Sequence, residues 1–529
     1  MDYYLILVIA LLILAVADLM VGVSNDAVNF LNSAIGSKVA SRKVILGIAA
    51  AGIFVGASFS SGMMEVARKG IFNPEYFSFA DVMVIFMAVM ITDILLLDLF
   101  NTLGMPTSTT VSIVFELLGA SVVTGLLAIS ANPDVASSIW ELINYEKASQ
   151  IIAGIFLSIG VAFTIGAIVQ FFTRLLFTFR FEERLKKYGA LFAGFAIAII
   201  VYFMLVKGIK GAAFVTPEFA ESVSNSGLSI VLITFFASAI AVFLLERIFK
   251  INPLKVVVLL GTFSLAMAFA GNDLVNFIGV PITGYQSYFM WIDSGLAAED
   301  FMMSTLSKAV SAPPLMLYGA GIIMVLTLWL SAKAKKVTET SVNLGAQGAV
   351  DERFRPNILS RGIVNSANSF AAFFNGVVPR KTTTFVNWRF RSLRQNSVDV
   401  PAFDLVRASV NLMIASILIA FASSLKLPLS TTYVSFMVAM GASLADRAWG
   451  EGSAPYRVAG VVNVIGGWFL TALGAFTAAG AVALFIYFGG FWVTLILFFV
   501  ALFILVKSNL PKASKEPAKN QKSETHKKS

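Results

Sequence analysis

The sequence predicts an all-α polytopic membrane protein, with about 10–12 transmembrane helices in two inverted repeats that contain broken or re-entrant helices. Three observations predict it: the composition, the apolar runs and two duplicated polar motifs. Of the 529 residues, 58% are hydrophobic and 13% are charged. Soluble domains are typically about 45–50% apolar and about 25% charged. The composition therefore excludes a cytosolic globular enzyme.

Long apolar runs recur along the whole chain. A membrane-spanning helix needs about 20 mostly apolar residues. Runs of this kind lie near 3–23, 44–62, 80–100, 110–130, 150–178, 188–207, 228–248, 253–271, 313–332, 404–424, 456–487 and 489–506. The first run lacks a basic segment before it and a small-residue cleavage site, so we expect a retained helix rather than a signal peptide.

The positive charge is concentrated in two polar segments. The chain carries a net charge of +9, whereas residues 333–407 alone carry +7 and residues 507–529 carry +5. Lys and Arg on one side of a bilayer explain this distribution better than nucleic-acid binding does. We therefore expect a cytoplasmic 333–403 segment, an outside amino terminus, no nucleic-acid partner and a disordered basic tail.

Two polar motifs occur twice, in the same order. Asn25-Asp26-Ala-Val-Asn29-Phe matches the segment that starts at Asn272, and Leu103-Gly-Met-Pro-Thr-Ser-Thr-Thr matches the segment that starts at Leu425. Removing the polar segment 331–403 makes the spacing between the motifs nearly equal in both halves. Two copies of such a unit indicate a secondary transporter whose substrate lies where the repeats meet.

The motifs divide the chain into a membrane unit, its copy and the segments around them. The predicted divisions are 1–180 for the first membrane repeat (core motifs 22–38 and 103–125), 181–252 for connecting transmembrane helices, 253–332 for the first part of the second repeat, 333–403 for a polar basic cytoplasmic insertion, 404–506 for the second part of the second repeat, and 507–529 for the tail.

The Pro-x-Ser-Thr-Thr motif is typical of a helix start that binds an anion. Pro106 suits the first position of a helix, where its missing N–H costs nothing. The following N–H groups lack intrahelical partners, and the helix dipole adds positive character there. The hydroxyls add further donors for a tetrahedral oxyanion, so the predicted binding residues are Ser108, Thr109, Thr110, Ser430, Thr431 and Thr432. The alternative is that these side chains only hydrogen-bond to carbonyls of their own helices.

The Asn-Asp-x-x-Asn motif is the candidate cation site. A carboxylate in the hydrocarbon region costs about 2.5–3.5 kcal/mol or more, so it should be paired, protonated or bound to a cation. Carboxylate, amide and freed backbone oxygens suit Na⁺, and the candidate ligands are Asn25, Asp26, Asn29, Asn272, Asp273 and Asn276. The same carboxylates could bind H⁺ instead, or the motif could be a polar contact between helices.

Other polar residues have less specific roles. Asp93, Asp98 and Glu116 align with apolar residues of the second half, and they could serve coupling or pair with Lys or Arg elsewhere. Asp18 is a further acid in an apolar run. The Asn-rich segment around Asn365, Asn368 and Asn375 is expected to be a solvated loop, and Glu65, Arg68 and Lys69 to form a charged helix end.

These motifs resemble those of the inorganic phosphate transporter (PiT) family of sodium- or proton-coupled permeases. The shared signatures are the doubled Asn-Asp-x-x-Asn, the doubled Pro-x-Ser-Thr-Thr and Glu65-Val-Ala-Arg-Lys-Gly70. The resemblance implies inverted repeats, a homodimer, phosphate at the paired Ser-Thr-Thr segments and cations near the Asn-Asp segments. Where the family often has His after Ser-Thr-Thr, this chain has Val111 and Tyr433.

The expected function is import of inorganic phosphate across the cell (inner or plasma) membrane in symport with cations, with Na⁺ favoured over H⁺. The alternatives are a sulfate or other oxyanion permease of the same fold, and a passive anion channel. An intramembrane hydrolase is disfavoured, since the chain has no Cys and its single His lies in the tail. We expect no enzymatic activity and no cofactor besides the coupling ion.

Overall fold

The computed structural model describes residues 3–58, 60, 70–133, 136–207, 216–307, 312–347, 355–391, 401–425, 427, 429–449 and 453–509. The helix-end residues Glu65, Arg68 and Lys69, together with Pro428 and the tail from 510 onward, lie outside the described residues.

The described chain is built from α-helices. They are α1 (Tyr3–Gly36), α2 (Arg42–Ser58), α3 (Phe79–Leu103), α4 (Thr109–Ala131), α5 (Ile139–Leu142), α6 (Tyr145–Phe177), α7 (Phe181–Tyr202), α8 (Pro217–Asn225), α9 (Gly227–Phe249), α10 (Pro253–Ser294), α11 (Pro314–Leu330), α12 (Ala332–Leu344), α13 (Ile358–Val377), α14 (Arg380–Arg389), α15 (Leu405–Ser424), α16 (Thr431–Ala445) and α17 (Ala454–Asn509).

The helix lengths confirm the polytopic all-α class. Within the described ranges, nine helices are long and apolar enough to cross a membrane, or up to ten if α11 and α12, which meet at 71°, form one bent span. The helix α17 is interrupted at Gly490, whose φ of 58° is left-handed. This break falls where the apolar runs 456–487 and 489–506 meet. Glycine adopts the left-handed conformation at little cost because it has no Cβ.

The Asn-Asp motifs lie inside continuous helices, not at breaks. No break lies at the motifs themselves, because α1 runs for 34 residues through Asn25 to Asn29 and α10 for 42 residues through Asn272 to Asn276. In α10, however, Pro281 lacks an N–H, so the carbonyl of Phe277, just after the motif, has no donor within the helix. Asparagine and aspartate are tolerated in these helices because their side chains find partners on other helices. Near the site, the described chain is interrupted before α4 and α16, at the Ser-Thr-Thr motifs.

The two halves exchange their packing partners. Helix α4 of the first half packs along α17 of the second, and α16 of the second half packs along α6 of the first. Each pair is close because a glycine meets a backbone carbonyl: a Cβ on Gly119 would lie 2.0 Å from the oxygen of Phe476, and one on Gly441 2.1 Å from the oxygen of Phe163. At the centre, α1 packs against α10.

The segment 333–403 contributes helices to the bundle. Its first helix, α12, packs against α1, and Asn32 donates to Ser341 over 3.1 Å. The expected solvated loop around Asn365 is instead part of α13, with Asn365 itself exposed. The amphipathic spacing of apolar residues in 358–377 explains the helix.

An ion-pair network holds the far end of α16. Asp446 accepts hydrogen bonds from Arg174 of α6 at 2.7 and 2.8 Å and from Arg407 of α15 at 2.8 Å. Burial alone raises the pKa of Asp446, but the two guanidinium charges outweigh it and hold the pKa below its usual value. All three side chains are buried, so the network ties three helices together at one point.

Candidate ion-binding site

The two Ser-Thr-Thr segments begin the helices α4 and α16. Ser108 and Ser430 are the N-cap residues, and each hydroxyl oxygen accepts from the backbone N–H three residues on, over 3.1 Å in both copies. The helices therefore start at Thr109 and Thr431. Pro106, expected at the first helical position, lies before the cap, because the serine satisfies the helix start.

The predicted anion and cation residues lie together in the interior. All twelve are at most 2% exposed, and they are Ser108, Thr109, Thr110, Ser430, Thr431, Thr432, Asn25, Asp26, Asn29, Asn272, Asp273 and Asn276. They belong to four helices, two from each half: α1, α4, α10 and α16.

Each aspartate receives one threonine hydroxyl from each half. Thr109 donates to Asp26 over 2.8 Å and Thr432 donates to the other oxygen of Asp26 over 2.9 Å. In the second copy, Thr431 donates to Asp273, and Thr110 donates to it over 3.2 Å. The carboxylates therefore join the two helix starts across the centre of the molecule.

The two outer asparagines repeat the exchange. Asn29 donates to Thr432 over 3.0 Å, and Asn276 donates to Thr110 over 3.0 Å. Each amide thus reaches the helix start of the opposite half. Together with the aspartate contacts, this makes the centre of the site approximately two-fold symmetric.

The two inner asparagines hold the segments that precede the helix starts. The amide oxygen of Asn25 accepts from the N–H of Thr107 over 2.9 Å, and its nitrogen donates to Asn101 over 2.8 Å. Asn272 donates to the carbonyl of Leu429 over 2.9 Å. Through these contacts both asparagines hold the chain segments that lead into α4 and α16.

Several residues of the site had no motif to identify them. Trp468 of α17 donates to the carbonyl of Pro106 over 3.2 Å and stacks on Tyr433 at 3.9 Å between ring centroids. Thr107 hydrogen-bonds Thr471 at 2.7 Å. Ser435 donates to Asn29 over 3.0 Å. Only the polarity of Thr471 and Ser435 within apolar helices could have identified them.

The donors and acceptors divide into two kinds. Threonine hydroxyls and the first N–H groups of α4 and α16 are donors suited to an oxyanion. The carboxylate and amide oxygens are hard ligands suited to a cation such as Na⁺. In the described part of the chain there is no group of three or more Asp, Glu, His or Cys side chains that could hold a metal ion.

The chain is similar to known transporters over most of its length. The profile of the phosphate transporter family matches residues 22–341, more than half of the chain. A protein of Thermococcus kodakarensis, named "Putative phosphate permease", is 27% identical over 270 residues. That match covers 48% of this chain and 61% of the relative, so the chain spans about three fifths of the relative's length.

A solved structure shares the fold. The structure titled "The sodium-dependent phosphate transporter" superposes with a TM-score of 0.65 at 18% identity, over 91% of this chain and 99% of the other. The names of the family and of both similar proteins are those of transporters, not of enzymes. On the family match, which includes both Asn-Asp motifs and the first Ser-Thr-Thr motif, this multi-pass membrane protein belongs to the phosphate transporter family.

Proposed function

We propose that this protein imports inorganic phosphate in symport with cations, Na⁺ being favoured over H⁺. The observation that carries the proposal is the crossed pairing of Asp26 and Asp273 with threonines of both helix starts. In this pairing, hydroxyls that could donate to an anion contact carboxylates that could bind a cation, and both kinds of group are buried and come from both halves.

The pairing suggests how cation and phosphate binding are coupled. The threonine hydroxyls that donate to the aspartates are the donors a phosphate needs. A cation bound to Asp26 and Asn29, or to Asp273 and Asn276, would satisfy the carboxylates and reduce their negative charge. The hydroxyls would then turn to the phosphate oxygens, so that each ligand favours the other.

The membrane potential would drive uptake if net positive charge moves inward. It contributes about 2.3 kcal/mol per charge per 100 mV. The two-fold contacts support inverted repeats, in which rocking of one repeat against the other opens the same site to either side. Phosphate is favoured over sulfate since a P–OH group can donate to an aspartate, whereas sulfate has no proton at neutral pH.

We extend the proposal to a homodimer in the cell (inner or plasma) membrane. In α9, only Gly227 and Val242 are buried, which leaves a long apolar helix against lipid or a partner. The mass of the purified protein in detergent, corrected for bound detergent, tests this directly. A mass of one chain only would refute the dimer without affecting the transport proposal.

Proteoliposomes test the transport proposal. We expect uptake of labelled phosphate above equilibrium under an inward Na⁺ gradient, and weaker stimulation by a proton gradient. Flux that never exceeds the phosphate gradient and ignores cations would establish a passive channel instead. Inhibition by excess sulfate as strong as that by unlabelled phosphate would establish a broader oxyanion permease.

A further inference from the structure

Three acidic side chains meet in the interior next to the site. Asp18 of α1, Asp93 of α3 and Glu116 of α4 are all 0% exposed. Asp93 lies close to Asp18, to Glu116 and to the hydroxyl of Ser112. We call these three residues the acidic triad.

The oxygens of the triad lack donors. Neither oxygen of Asp18, neither of Asp93, nor Oε2 of Glu116 accepts a hydrogen bond. The remaining oxygen of Glu116 accepts from Ser112 over 2.7 Å. Asp18 is thus a fully buried carboxyl that accepts no hydrogen bond, and it lies beside Asp93, whose oxygens accept none either.

The charged groups around the triad are acids. Those acting on Asp18 are Asp93, Glu116 and Asp26. On the neighbouring part of α3, Asp98 is already paired with Lys333 of α12 at 2.6 Å. Lys333 is therefore paired with Asp98 and not with the triad.

The second half shows that the fold does not require acids at these places. When the two halves are aligned on their duplicated motifs, Leu265 corresponds to Asp18, Ala415 to Asp93 and Val438 to Glu116. These three residues are buried as well, at 0–1% exposure. Apolar side chains fill the equivalent positions, so the acids of the first half need another explanation than packing.

A proton explains the contacts best. Ionised carboxylates buried together without a cation are strongly unfavourable, whereas a carboxyl that takes a proton from water donates its O–H to its neighbour. A metal ion would need a ligand cage, and no group of three such side chains in the described residues could hold one. We propose that Asp18, Asp93 and Glu116 form a proton-binding site that sets the charge beside the transport site.

The triad lies close enough to Asp26 for its charge to affect phosphate binding, and this step rests on the proposed function. Asp18 precedes Asp26 by eight residues on α1, a rise of about 12 Å. At this separation and an effective dielectric constant of about 20, an ionised Asp18 would weaken the binding of a singly charged anion beside Asp26 about tenfold. Protons on the triad therefore reduce the negative charge beside the site and keep it accessible to an anion. The triad occurs in the first repeat and has no counterpart in the second.

Infrared difference spectroscopy of the purified full-length protein tests the proton site without transport. We expect a carbonyl band of buried protonated carboxyls at neutral pH, reduced in Asp93→Asn and Glu116→Gln. The control is Asp98→Asn, which removes an acid of the same helix that already has a basic partner and should leave the band unchanged. A band unaffected by both triad variants, or abolished in the wild type by Na⁺ at constant pH, would overturn the proposal.

A transport measurement then tests the consequence. Apparent phosphate affinity of the wild type should fall about tenfold more on alkalinisation than that of Asp18→Asn, the triad residue whose separation from Asp26 gives this figure. The ionisation state of phosphate also changes with pH, but it affects both proteins equally because they are compared at the same pH. Equal pH profiles would refute the link to the site. If no variant transports phosphate but the infrared bands respond as expected, the proposed function fails and the proton site remains.

Discussion

Thr432 of α16 donates a hydrogen bond of 2.9 Å to Asp26 of α1, a residue 406 positions earlier in the chain. The bond joins a helix start of one half to the acidic motif of the other. Thr110 and Asp273 make the mirror contact at 3.2 Å. A ligand at either aspartate therefore acts on the helix starts of both halves.

The crossed threonines should determine phosphate affinity. Thr432→Val removes the donor and leaves the shape nearly unchanged, and a hydrogen bond to a charged group contributes about 1.5–3 kcal/mol. We expect the KM for phosphate to rise about 10- to 100-fold in Thr432→Val and in Thr110→Val. Phosphate uptake by proteoliposomes measures it.

The control for these variants is Thr477→Val in α17, whose hydroxyl is exposed and bonds only to its own helix. It should leave the KM unchanged. Normal phosphate affinity in both crossed variants would remove the helix starts from the site.

The aspartates should determine the response to cations. Asp26→Asn keeps an oxygen that can accept from a threonine but removes the charge, so we expect the Na⁺ concentration for half-maximal uptake to rise at least about tenfold. Uptake at saturating Na⁺ should fall less than the cation affinity. Asp273→Asn should behave similarly because its contacts are equivalent.

The matched control is Asp300→Asn, which changes an exposed aspartate in the segment after α10 and should leave the Na⁺ response unchanged. If Asp26→Asn retains the wild-type Na⁺ response, the motif is a structural contact between helices.

The convergence of the polar motifs in the interior could be predicted from the sequence, but the packing of helices between the two halves could not. Spacing of the motifs predicted two copies, and burial of polar side chains in apolar runs predicted their convergence. An apolar run, however, is equally stable against many helices, so it could not indicate that α4 packs on α17 rather than on its own half. Gly119 and Gly441 stand at equivalent positions of the two repeats, and this repetition of a small residue is a sequence signal for the two close helix contacts.

The role of Asn25 illustrates a second limit. An amide in the Asn-Asp motif suits a cation ligand and a hydrogen-bonding support equally well by its chemistry. Only its distance to Thr107 distinguishes them. Likewise, Asp446 lies at a helix end in a segment that resembles a solvated loop, and its partners come from residues 174 and 407.

The network at Asp446 should stabilise the folded protein. Asp446→Asn leaves Arg174 and Arg407 buried with less compensation, and breaking a buried ion pair costs about 3–5 kcal/mol. Thermal unfolding in detergent should show a marked decrease in Tm. Glu339→Gln, which breaks the exposed pair with Lys335 at 3.8 Å, should cost at most about 0.5 kcal/mol. Equal effects of the two variants would contradict the role of the network.

The same network predicts the response to acid. The pKa of Asp446 is lower in the folded than in the unfolded protein. The ionised carboxylate therefore stabilises the fold at pH values above its unfolded pKa of about 3.9, and this stabilisation is lost as the pH falls through its folded pKa. The wild type should therefore lose more stability than Asp446→Asn below about pH 4. Parallel stability curves for the two proteins would show that Asp446 is not ionised in the fold.

The close contacts of α4 with α17 and of α16 with α6 predict that Gly→Ala substitutions lower the Tm at these contacts and raise it elsewhere. In Gly119→Ala, the new Cβ would lie 2.0 Å from the carbonyl oxygen of Phe476, so the helices must separate; Gly441→Ala meets the oxygen of Phe163 at 2.1 Å. Overpacking of this kind costs about 1–3 kcal/mol. In Gly154→Ala no atom lies within 4 Å of the new Cβ, and alanine favours a helix by about 1 kcal/mol. We expect Tm to fall in the first two variants and to rise slightly in the third, and a fall of equal size in all three would contradict the exchanged packing of the halves.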